Sequence, residues 1–129
     1  MKKEAATLHT AAMELATQAF SLENDSPQSR DLFQRALDKE RKAADLWDQA
    51  SGLEPTRSIL YRSAASLAWN CQDYAETERL AKKGLEGDPP GDIAWELEEL
   101  LDLSHPADPT LEAPQASHPP RRQRSLSRK

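Results

Sequence analysis

Two acidic-proline dipeptides, Glu54-Pro55 and Asp88-Pro89, stand 34 residues apart. Proline removes a backbone donor and interrupts a helix, so that spacing confines a helical chain to short antiparallel hairpins. Between the prolines run Ser58 to Trp69, then Asn70-Cys71-Gln72-Asp73-Tyr74, then Ala75 to Gly87. The order reads as helix, tight turn, helix, with a turn of about three residues that forces its two helices to lie as neighbours.

The rest of the chain is consistent with an all-α domain. In 129 residues, 37% hydrophobic content with only 5% aromatics favours one helical core of Leu and Ala. The first helix is expected from about Lys3 to Glu23, with Leu8, Ala12, Leu15, Ala19 and Leu22 on one stripe, widened by Met13, Ala16 and Phe20. Ser26-Pro27 suits the start of a second helix, with Ser as N-cap and Pro at the first position, running to about Ala50 and ended by Ser51-Gly52. Its middle, Asp38-Lys39-Glu40-Arg41-Lys42, is expected to be solvated. Pro55 opens a third helix. Asp73 is expected to cap a fourth, with Glu76 completing a capping box and Leu80 and Leu85 facing inward. A fifth helix, about Gly91 to Leu103, sets Ile93, Leu97, Leu100 and Leu101 against Glu96, Glu98 and Glu99, as a terminal capping helix would.

From Ser104 the composition changes, with Pro106, Pro109, Pro114, Pro119 and Pro120 close together. The expected division is a helical domain over 1–104 and a disordered Pro/Arg-rich tail over 105–129. Charge divides at the same place: residues 1–103 carry 12 Lys or Arg against 20 Asp or Glu, and residues 104–129 carry five against two. An acidic body repels phosphates, which argues against duplex binding by the folded part. The five cations over residues 121–129 can bind phosphates or an acidic partner weakly. Their alternative role is to solubilise the chain or fold back on its acidic body.

Residues 58–89 resemble the tetratricopeptide repeat. Asp73-Tyr74 sits at that family's interhelix turn, Pro89 at its closing proline, and Tyr61, Ala64, Ala65 and Ala68 at its helix A packing positions. Ala43, Trp47, Ala50 and Pro55 look like the second helix of a preceding repeat. The departures are Gln72 for the usual turn glycine, Thr77 and Ala81 at packing positions, and Gly84 for alanine inside a helix. Only one repeat and half of another can be counted, so the first two helices read as a longer hairpin beside them. Residues 54–65 also resemble a group of small bacterial proteins of this kind, and residues 11–50 more distantly resemble three-helix domains that bind peptide helices in membrane-trafficking factors.

The resemblance implies a non-catalytic adaptor that binds a protein or peptide on a concave surface lined by the first helix of each repeat. The matching positions are Ile59, Arg62, Ser66, Trp69 and Asn70, joined by Arg57 at the helix start, where a partner carboxylate could pair with it. The alternatives are that Trp69 packs under the first hairpin and Arg62 pairs with a neighbouring helix. The carboxylate clamp of chaperone cofactors in this family needs residues from successive repeats, and this chain has too few.

Trp47, Trp95 and Tyr74 are expected to pack, and Cys71 to be an inert thiol. Catalysis has little to stand on: His9, His105 and His118 are scattered, four glycines form no phosphate-cradling loop, and no spacing matches a metal site or a triad. No cofactor is expected. With one cysteine, no membrane-length apolar run and no signal-like start, the expected compartment is the cytoplasm. The rival readings are a self-associating structural subunit that completes its packing by oligomerising and, further off, a nucleic-acid accessory factor using the basic tail.

Overall fold

Leu and Ala recurring every three or four residues give each segment one apolar stripe, and the stripes meet in a shared core. The computed structural model describes residues 2–105. Among them the chain forms α1 (Lys2–Phe20), α2 (Pro27–Ala50), α3 (Thr56–Asn70), α4 (Tyr74–Leu85) and α5 (Gly91–Leu103), with no strand. This is the expected all-α arrangement. Only the end of α1 differs appreciably, at Phe20 rather than Glu23. Of the expected tail only His105 is described, its Nε2 lying 3.3 Å from Glu78 Oε2 on α4; the expectation of disorder for residues 106–129 falls outside the described residues.

The helix ends follow local chemistry. Ser26 Oγ accepts from Ser29 N at 3.1 Å, with Pro27 at the first helical position. Gly52, at φ +64, closes α2 by donating its N–H to the Trp47 carbonyl at 3.0 Å. At the head of α4 Asp73 Oδ1 accepts from Glu76 N at 3.2 Å, but the return arm of the expected capping box is not made. The Glu76 carboxylate accepts instead from Arg41 at 2.9 Å and from Arg79 at 2.7 and 2.8 Å. Two guanidinium groups outcompete one backbone amide.

Along the chain α1 packs on α2, α2 on α3 and α3 on α4, and α5 lies against both α3 and α4. Phe33, Leu37, Leu60, Tyr61, Leu67, Leu80 and Leu97 fill the centre. Ala12, Ala36, Ala43, Ala44, Ala64, Ala65, Ala68 and Ala81 are fully buried, so small side chains set the close helix spacing. Gly84 has the same role in extreme form: a Cβ there would lie 3.0 Å from both Leu97 methyls and 3.2 Å from Tyr61 Cβ. The glycine that departs from the repeat pattern is what lets α4 approach α3 and α5.

The spacing of the two dipeptides turns out to be a contact. Asp88 N–H donates to Glu54 Oε2 at 3.0 Å, while Glu54 Oε1 accepts from Ser58 N at 3.0 Å. One carboxylate thus ties the segment before α3 to the segment after α4.

In the charged middle of α2, Asp38 and Lys42 are exposed as expected, but Glu40 is not. Glu40 is 0% exposed, and both its oxygens accept from or share a proton with His9 Nδ1, at 2.8 and 3.0 Å. The cause is geometric: the stripe Phe33, Leu37, Ala44 passes through Glu40 at helical spacing, so this carboxylate lies beneath α1 and α3 with the core residues.

Candidate functional site

The six residues expected to bind a partner lie on α3 or at its start, and the fold sends them to different places. Arg57 is interior: at 8% exposure its Nε donates to Asp48 Oδ1 at 2.9 Å, its Nη2 to the Lys83 carbonyl at 2.9 Å and its Nη1 to the Gly84 carbonyl at 3.3 Å. Its guanidinium also stacks over Tyr61 at 4.9 Å. A surface role for Arg57 is therefore corrected. The guanidinium caps the end of α4: it is a second donor to the Lys83 carbonyl, which also accepts from Glu86 N at 3.2 Å, and it satisfies the Gly84 carbonyl. Ile59 is partly buried against the core.

Arg62, Ser66, Trp69 and Asn70 remain at the surface, on one stripe divided between two hollows. Arg62 and Ser66 line a hollow of about 450 Å³ between α3 and α5, with Ser63, Glu96, Glu99, Leu100 and Leu103. There Arg62 Nη1 donates to Glu96 Oε1, so Arg62 pairs with a neighbouring helix. Trp69 and Asn70 line a second hollow, of about 500 Å³, between the α1–α2 turn and the α3–α4 turn.

This second hollow gathers three of the four exposed large apolar side chains among the described residues, the fourth being Leu53. Phe20 is 67%, Leu22 41% and Trp69 39% exposed around it. Phe33 forms its inner wall and holds Phe20 edge to face, with centroids 4.9 Å apart and planes at 80°. The rim is polar and set by the backbone. Asp25 and Gln72 both take left-handed conformations, at φ 63 and 61. Arg30 Nη1 donates to the Asp25 carbonyl at 2.6 Å and to its carboxylate at 3.2 Å, which steadies one side. Asn70 Nδ2 donates to the Ser66 carbonyl at 3.1 Å. An aromatic floor with amide groups on the rim suits one apolar side chain and the peptide backbone on either side of it.

No family model, curated protein or solved structure matches the chain.

Phe20 and Leu22, on the expected apolar stripe of the first helix, line this hollow and are exposed rather than covered. The signal lay in their position, at the fraying end of α1 beside polar Asn24-Asp25, where a stripe runs past its last neighbour. His9 and Glu40 were likewise missed as a pair. Burial pushes the Glu40 carboxyl up, opposed by the His9 charge and hydrogen bond, by Ser63 and by Arg62. Burial, aided by Asp73 and Asp38, pushes the Cys71 thiol up to about 11, which keeps it protonated near neutral pH. Among the described residues no three His, Cys, Asp or Glu side chains gather to hold a metal ion, and no helix is long and apolar enough to cross a membrane.

Proposed function

We propose that the chain is a non-catalytic helical binding module of the tetratricopeptide type, which holds an apolar side chain of a partner protein in the hollow between the α1–α2 and α3–α4 turns. The observation that carries this reading is the exposure of Phe20, Leu22 and Trp69 around one hollow. A folded domain does not gain from leaving two aromatic rings in water, and rigid aromatic groups beside polar rim groups are the usual composition of an interface hot spot. Trp69 and Asn70 belong to the α3 stripe that matches the concave-surface positions of the tetratricopeptide repeat. Arg62 and Ser66 extend that stripe toward α5.

The test compares Trp69→Ala and Phe20→Ala with the parent chain in affinity capture, with sedimentation run alongside. Each substitution is expected to remove the same captured protein while leaving helicity unchanged. Retention of every captured protein by both variants would sink the proposal. A parent chain that dimerises, with Trp69→Ala monomeric, would reassign the hollow to self-association.

A further inference from the structure

We infer that the hollow between α3 and α5 is the docking site of this chain's own basic segment Arg124-Ser125-Leu126-Ser127-Arg128. The contact does not depend on the hollow at Trp69 and is carried by different residues. Helix α5 holds Asp92, Glu96, Glu98, Glu99 and Asp102 and not one Lys or Arg. Glu96 is matched by Arg62, whereas Glu99 takes part in no ion pair among the described residues and faces into the hollow beside Leu100 and Leu103. An unmatched carboxylate next to two half-buried leucines selects a ligand with a cation beside an apolar side chain.

The chain carries that combination itself. In an extended segment alternate side chains share a side, so Arg124, Leu126 and Arg128 would face one way with an apolar residue between two guanidiniums. Leu126 matches Leu100 and Leu103, and one arginine matches Glu99 through a paired hydrogen bond. Arg62 also lines the hollow and is already paired with Glu96, which leaves Glu99 rather than Glu96 to take an incoming arginine.

Connectivity favours the occupant. The chain leaves α5 through Ser104 and His105, directly after Leu103 of the hollow wall, and residues 106–123 separate that exit from the basic segment. Eighteen residues can span up to roughly 60 Å, far more than a return along one 13-residue helix requires. A tether of this kind supplies an effective concentration of order millimolar, so a contact too weak to hold two separate molecules still forms within one.

The experiment uses the full-length chain labelled for amide NMR, compared with a full-length variant carrying Arg124→Gln, Leu126→Ala and Arg128→Gln. The expected result is a set of shift differences at Ser63, Ser66, Glu99, Leu100 and Leu103 that survives ten-fold dilution and collapses as salt rises from about 0.05 M to about 1 M. Glu99→Gln should remove these differences and Glu96→Gln should leave most of them. Glu99→Lys combined with Arg124→Glu and Arg128→Glu should restore them, which a merely structural effect of Glu99 would not. Spectra of the parent and the tail variant that coincide at low salt overturn the inference, as do differences spread over all acidic helices. Differences that vanish on dilution also overturn it, since the segment would then be reaching a second copy.

Discussion

The two ends of α3 are built from opposite materials. At its start, Arg57 is enclosed by Asp48, Glu54 and the carbonyls of Lys83 and Gly84, and the Tyr61 hydroxyl donates to Asp45 at 3.1 Å and Asp48 at 3.2 Å. At its finish, Trp69 stands with Phe20 and Leu22 around an open hollow. Charged groups withdrawn from water hold a fold only when every partner is present, so the first end is committed to stability. The second end has apolar surface the core does not use, and that surface is available to something else. The proposed binding hollow and the buried charge cluster thus lie about the length of α3 apart, and a substitution at one end should be nearly silent at the other.

The sharpest way to break this comparison is Arg57→Ala. It removes the buried cation that pairs with Asp48 and Glu54 and donates to the Lys83 and Gly84 carbonyls, and is expected to cost about 3 kcal/mol or more in urea unfolding. Trp69→Ala should cost about 1 kcal/mol or less because the ring is partly in water already. Equal losses for the two would remove the distinction between the ends.

His9→Ala comes next, at about 2 kcal/mol, because the buried Glu40 carboxyl then loses its hydrogen-bond partner on α1. The pH dependence has a definite sign. A carboxyl whose folded pKa is raised favours the folded state below its ordinary value of 4.5 and loses that contribution as pH climbs through the folded value. Removing His9, which opposes the rise, should steepen the loss as pH climbs above 4.5, and Glu40→Gln should flatten it. Glu54 behaves oppositely. Burial alone would raise it, but bonds from Ser58 and the Asp88 amide, with the Arg57 charge, hold its carboxyl below the usual range, so its contribution is present above 4.5 and lost as pH falls.

Gly84→Ala should destabilise by about 1–2 kcal/mol by thermal or urea unfolding, although alanine is the better helix former by about 1 kcal/mol. A stabilised variant would show that Leu97 and Tyr61 have room to move. The smallest effect belongs to Gln72→Gly, which relieves a left-handed backbone at φ 61 and should raise stability by up to about 1 kcal/mol. It alters the rim of the open hollow without removing an apolar wall, so it should leave partner capture intact.

Helix order, caps and the short turn at Gln72 were legible because each depends on residues a few positions apart. Ser26 bonds Ser29, Asp73 bonds the Glu76 amide, and Gly52 closes α2 on Trp47, all within one turn or so. The candidate site was half legible. Trp69 and Asn70 could be placed on an outward stripe of α3, but Phe20 and Leu22 could not be separated from core leucines on the same stripe of α1. Which part of an apolar stripe is covered depends on where the neighbouring helix stops.

The sequence by itself determined five helices, their antiparallel order and an acidic body joined to a basic segment, since helical periodicity and net charge are local sums. Only the tertiary structure decided that the 34-residue spacing is a hydrogen bond between Glu54 and Asp88, that Arg57 and Glu40 are interior, and that Gly84 is required by Leu97 and Tyr61. These are meetings of residues far apart in the chain. A charged side chain reads as solvated along one helix until two other helices are laid over it.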